Sequence, residues 1–180
     1  MEEKLQSIDI ISGIFGKSVK KVIERSTKKP VKMSPTIQKV PKISLRPDVG
    51  CFVQFSGDYN GLVVMNYTGS SAMCLYNSYM LAMGIPEEEL AKDYTSSEVP
   101  DTIGEITNQI MGQAMNMVEE KYSLSSFCGQ PKAVALNSEI TLIIDSDYRD
   151  NRRLVFQLDT TRFYMEIALE ATEFITLSKL

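Results

Sequence analysis

Asp101, Glu105 and Asn108 stand at i, i+4 and i+7 in the stretch from Asp101 to Glu120, and Gly112 follows at i+11. At roughly 100° per residue these four line one side of a helix, while Ile103, Ile106, Ile110, Ala114, Met117 and Val118 fall in the opposite arc. The spacing predicts a helix lying on a core, with two acids and an amide turned outward. Gly112 leaves a flat spot on that side where something bulky can approach. A side-chain amide can accept a hydrogen bond from a water on its carbonyl and donate through its NH2, which suits it to positioning a water for attack. Asn108 is a poor helix former, so its place in mid-helix favours a functional reason, although Glu105 and Asn108 also fit the solvated face of an amphipathic helix.

Composition narrows the chemistry. The chain has no histidine, which removes Ser-His and Cys-His nucleophile pairs, a phosphohistidine relay and the common zinc and iron ligand sets. Catalysis would rest on carboxylates, amides, lysines or hydroxyls. Cys51, Cys74 and Cys128 are odd in number, far apart and without Cys-x-x-Cys spacing, so buried free thiols are expected rather than disulfides or a zinc site. The net charge of -4 is unevenly spread. Through Arg46 there are eleven Lys or Arg against four Asp or Glu, and the remainder carries eight against nineteen. A basic head on an acidic body fits either a solvated face that also meets the body, or an adaptor arm for an anionic polymer or membrane surface. No apolar run approaches the ~20 residues that span a bilayer, and the start Met-Glu-Glu-Lys-Leu-Gln lacks the layout of a secretory signal, so a cytoplasmic protein is expected.

The elements that must position this helix follow from periodicity and turn chemistry. A first amphipathic helix is expected over Glu3 to Arg25. Residues 26–46 form a basic connector, where Pro30, Pro35 and Pro41 permit at most an edge strand. Strands Cys51 to Phe55 and Leu62 to Tyr67 flank Asn60-Gly61, a hairpin signal because both residues tolerate positive φ. Ser70 or Ser71 would cap a second helix running to about Met83, with Gly84 as its stop, and Glu87-Glu-Glu-Leu would form a short helical turn. After the long helix come β-like stretches at Lys132 to Leu136, Glu139 to Asp145 and Leu154 to Asp159, then Arg162 to Glu170. The acid-rich connection Asp145 to Asn151 lacks the glycine and terminal glutamate of an EF-hand loop, which argues against calcium. No internal repeat is visible. The expectation is one domain, 1–180, of α+β class with helices packed on a mostly antiparallel β-sheet.

The spacing Asp101-x3-Glu105-x2-Asn108, then twenty-two residues, then Pro131, resembles the signature of the CheC/CheX/FliY phosphatases of bacterial chemotaxis. Four fixed identities at fixed gaps should arise by accident in only about one chain of this length in several hundred. Gly104-Glu-Ile-Thr-Asn-x3-Gly112 is similar to the family's Gly-Glu-x-x-Asn-x3-Gly, and the order of elements agrees as well. The first helix has no Glu-x-x-Asn, so the sequence is closer to the single-motif CheX type. The resemblance implies hydrolysis of an aspartyl phosphate on a CheY-like receiver domain. In that scheme Asn108 orients the attacking water and Glu105 pairs with the receiver's lysine, while the Mg2+ belongs to the partner and this chain has no cofactor of its own. Asp101 and Gly112 would be docking contacts, Met115 an adaptable apolar contact at the border of the face, and Gly104 and Pro131 structural parts of the motif. A homodimer paired through its sheets, with no nucleic acid and no membrane span, is also implied. The alternative is a binding module of the same fold that docks on a receiver or flagellar-motor protein without hydrolysis.

Overall fold

The computed structural model describes residues 6–141 and 150–170. In chain order it contains α1 (Ser7–Thr27), β1 (Val31–Met33), β2 (Gln38–Lys39), β3 (Ser44–Leu45), β4 (Val49–Gly57), β5 (Gly61–Tyr67), α2 (Gly69–Ala82) and α3 (Glu98–Tyr122). It continues with β6 (Ser126–Cys128), β7 (Lys132–Ala135), β8 (Ile140–Thr141), β9 (Asp150–Leu158) and β10 (Thr161–Leu169). A 3-10 turn, Glu87–Glu89, lies between α2 and α3.

Every strand pairing is antiparallel, in the order β1-β9-β10-β5-β4-β6, with β2 also on β9 and β7 also on β4. The expected α+β architecture is therefore the one found. Hydrophobic burial puts the helices on one face of the sheet, where Ile11, Phe15 and Val19 of α1 and Ile103, Ile106 and Ile110 of α3 meet Cys51, Phe55, Met65, Phe156 and Phe163 from the strands. A smaller core of Ile43, Leu45, Leu62, Val64, Leu136 and Ala168 lies apart from it and includes β3. β3 pairs with β8 as a separate two-stranded ribbon.

The chain is built twice over, contrary to the absence of any visible repeat. The series α1, β1, β2, β3, β4, β5 recurs as α3, β6, β7, β8, β9, β10, and α2 joins the halves. Each half lends its broken edge strand to the other half's hairpin: β1 and β2 lie on β9, β6 and β7 lie on β4, and β5 meets β10 in the middle. The offset that carries Lys28 onto Ser123, both αL caps, also carries Val31 onto Ser126 and the buried Ile11, Phe15, Val19 and Ile23 onto Ile106, Ile110, Ala114 and Val118. Burial repeats while identity does not, which hides the duplication from the sequence.

Several local expectations need adjustment. α1 runs to Thr27, two residues beyond the expected end, and its expected start at Glu3 lies outside the described residues. The basic connector supplies three short strands rather than at most one: β1 and β2 on the sheet edge, with Pro35 in the gap between them, and β3 in the separate ribbon. The cap of α2 is Thr68, whose Oγ1 accepts from Ser71 N at 3.1 Å, because an N-cap acceptor must precede the first turn. Gly84, at φ +87°, ends that helix as expected. The hairpin is present, but neither Asn60 nor Gly61 takes a positive φ. Gly57 does, at φ +155°, and Asn60 Oδ1 accepts its N–H at 3.0 Å. Gly61 is needed for space, since a Cβ there would lie 2.4 Å from Ala168 O and from the Phe55 ring. In the stretch Glu139 to Asp145 a strand covers Ile140–Thr141, and residues 142–145 lie outside the described residues, as does most of the acid-rich loop.

Candidate functional site

α3 presents the predicted polar face. Its apolar side is fully packed, with Ile103, Ile106, Ile110, Ala114 and Val118 at 0% exposure, so the helix cannot roll without opening the core. Ser18 Oγ of α1 adds a cross-link by donating to Ile110 O at 2.7 Å. Thr102 and Thr107 turn their hydroxyls back onto Glu98 O and Ile103 O, at 2.8 and 2.7 Å. Among the residues turned outward are Asp101, Glu105, Asn108 and Gly112, all exposed. Glu98 and Asp101 sit in the first turn, where the N-terminal end of the helix dipole stabilises negative charge.

Pro131 is brought to the same place by a break in the sheet edge. β6 pairs with Phe55 to Gly57 and β7 with Val49 to Phe52, so β4 has a split outer neighbour. In the gap Gly129 N still reaches Gln54 O at 2.9 Å, but Gln130 and Pro131 leave the ladder. A proline has no N–H to give, so its place is where no ladder donor is required. The chain there stands over the start of α3. A groove of about 310 Å³ results, lined by Pro100, Asp101, Gly104, Glu105 and Asn108 from the helix and by Gln130, Pro131 and Ala133 from the edge. Gly104 faces Ala133 in this lining: a Cβ at that position would stand 3.7 Å from Ala133 Cβ, an ordinary contact.

Within the groove Glu105 and Asn108 are held by few side-chain contacts among the described residues. Glu105 Oε1 accepts from Gln109 Nε2 at 3.2 Å, an exposed i, i+4 contact, and the Asn108 amide has no hydrogen-bond partner among the described residues. A Cβ built on Gly112 would find nothing within 4 Å. Met115 does not belong to this surface. It is 8% exposed and part of the main core, covered by packing although the helical period sets it at the border of the polar arc, and filling a core is the commoner use of methionine. Gln130, Pro100 and Ala133 were missed as groove walls; apart from the fixed distance to Pro131, nothing in the sequence marks them.

A family model described as protein of unknown function (DUF3334) matches residues 2–180. The chain belongs to that family. A search of curated proteins finds no match. Among solved structures, CheX of Desulfovibrio desulfuricans is similar at 18% identity and TM-score 0.71, over 89% of this chain and 99% of that one. A CheC-like superfamily protein of Shewanella sp. PV-4 is similar at 20% identity and TM-score 0.71, over 89% and 97%. The CheX-CheY-BeF3-Mg2+ complex of Borrelia burgdorferi contains a chain similar at 15% identity and TM-score 0.67, over 89% and 97%. This DUF3334 member therefore has the CheC/CheX fold that its motif resembles. Among its described residues no helix is long and apolar enough to cross a membrane.

Proposed function

We propose that this chain hydrolyses the aspartyl phosphate of a CheY-like receiver domain in a chemotaxis-type pathway. One observation carries the reading: Asp101, Glu105, Asn108 and the distant Pro131 line a single groove, and the Asn108 amide in it has no hydrogen-bond partner among the described residues. The similarity in fold to the CheX chain of a CheX-CheY complex supports the choice of partner.

Hydrolysis of an acyl phosphate needs a water held in line with phosphorus while charge is neutralised, and little covalent chemistry from the catalyst. Asn108 Oδ1 accepts a hydrogen bond from that water and its NH2 donates to a phosphoryl oxygen. Glu105, one turn earlier, pairs with a lysine of the receiver and fixes the register of the docked helix. Mg2+ is supplied by the receiver. Packing of α3 on the sheet makes the amide's position a property of the fold, so little ordering is left for the moment of docking. The cytoplasm is the matching location, and pairing of two copies through the free sheet edges would complete the CheX-like arrangement.

The experiment is to phosphorylate candidate receivers, add wild type, Glu105→Ala or Asn108→Ala, and follow phosphate release. Wild type should accelerate decay, and Asn108→Ala should remove about 10²-fold or more of that acceleration while still binding. Equal, slow decay with wild type and Asn108→Ala on every candidate would refute catalysis, and binding without hydrolysis would leave a docking module.

A further inference from the structure

The end of α2 carries Leu81, Met83 and Ile85 at 49%, 63% and 36% exposure, followed by the exposed Glu87–Glu89 turn. Beside them is a pocket of about 180 Å³ walled by Met73, Leu81, Leu90 and Ala91. Asn77 also lines it, and Asn77 Oδ1 is buried with no hydrogen-bond partner among the described residues. A buried acceptor left open beside exposed apolar side chains is unusual in a finished surface. The segment is fastened to the candidate site through Tyr76, whose hydroxyl accepts from Ala91 N at 3.1 Å and donates to Glu98 Oε2 at 3.0 Å. From Glu87 to Glu105 the sequence holds seven carboxylates against Lys92, a net -6 where the whole chain carries -4. All seven are exposed, and none is in an ion pair among the described residues.

We propose that the α2 end, with the acidic segment that links it to α3, is a second contact surface for the same receiver partner, fastened to the α3 groove through Tyr76 and Glu98. The partner face it fits carries lysines or arginines opposite Glu87–Glu89, and an apolar side chain next to a hydrogen-bond donor that enters the Asn77 pocket. The identity of the partner rests on the phosphatase reading; the chemistry of the surface does not. Charge of this density steers encounter and sets orientation more than it holds the complex, while the apolar contact slows release.

The test is steady-state dephosphorylation of a receiver on which wild type acts, at two ionic strengths, with the variants Leu81→Ser/Met83→Ser and Glu87→Lys/Glu88→Lys. Both should raise KM about ten-fold with kcat unchanged, and the charge variant should flatten the salt dependence. Thermal midpoints should match wild type, because the side chains are exposed. A KM within two-fold of wild type for both variants overturns the proposal. So does a change confined to self-association in sedimentation, which would assign the patch to a second copy. If wild type hydrolyses no receiver, the phosphatase reading has failed separately. Fluorescence anisotropy with the same receivers then decides the surface, and either an absence of binding or a Kd insensitive to the variants overturns it.

Discussion

Gly112 allows the outward face of α3 to be tested without touching an acid or an amide. Glycine in a helix interior costs about 0.5–1 kcal/mol relative to alanine, and a Cβ at 112 would meet nothing within 4 Å. Gly112→Ala should therefore stabilise the protein by about 1 kcal/mol, or 2–4 °C in Tm for a chain of this size. Gly104→Ala should also gain, since its nearest neighbour would be Ala133 Cβ at 3.7 Å, an ordinary contact. Gly16→Ala on α1 provides the opposite control, because its Cβ would lie 2.7 Å from Leu154 Cδ2 and from Met33 Sδ. There the gain in propensity competes with overpacking that typically costs about 1–3 kcal/mol, so the net change is destabilising. Urea unfolding of the three variants reads these signs directly. If Gly112 serves close approach of a partner, Gly112→Leu should keep the fold yet weaken receiver binding. A destabilised Gly112→Ala would refute the helix argument, and full receiver binding by Gly112→Leu would refute the close approach.

Three further outcomes follow from buried or paired groups. Arg152 is 1% exposed and donates to Asp9 Oδ1 at 2.6 Å and Gln6 Oε1 at 2.8 Å, so Asp9→Ala should cost about 3 kcal/mol or more in urea unfolding. Arg152→Met, which removes the charge itself, should cost less. Cys51 is fully buried, and burial pushes its thiol up to about 11, so at pH 8 a thiol reagent should label Cys74 and Cys128 in the native protein and Cys51 only on unfolding. The hydrogen bond from Lys29 holds the Asp159 carboxyl below its usual range, with burial opposing. The stability this gives is present above the unfolded value of about 3.9 and fades as pH falls through the lower folded value. Asp159→Asn should therefore differ from wild type at pH 7, by under about 1 kcal/mol for so exposed a pair, and converge with it in acid.

The sequence made the site's helix legible because three signals agreed on it: a 3.6 period in the isoleucines, acids at its start, and polar residues at i, i+4 and i+7. Pro131 was legible only through its distance from Asn108. What that proline does depends on the gap between β6 and β7, which is set by pairing to β4 and is a tertiary property. β6 itself, Ser-Phe-Cys, is too short to show a period, and its Phe127 is exposed rather than alternating into the core. Met115 stands at the border of the polar arc and is covered by packing, which is a tertiary property that the period of the sequence does not show. The hairpin was placed correctly for an incomplete reason. Asn60 and Gly61 matter there through a side-chain hydrogen bond and a close approach, while the positive φ moved to Gly57.

The duplication shows why one helix carries the open polar face. The offset that superposes α1 on α3 sets Gln6 against Asp101, Ile10 against Glu105 and Gly13 against Asn108. At the start of α1 the polar side chains turn inward. Gln6 and Asp9 cap the helix and together hold Arg152, a cation that the sheet has buried. The residue set against Arg152 in β4 is Cys51, which is small and neutral and needs no carboxylate above it. With no buried charge to satisfy, the acids at the start of α3 are free to face outward. A buried arginine under one helix and a cysteine under the other thus leaves the polar start of α1 closed over the sheet and that of α3 open to solvent.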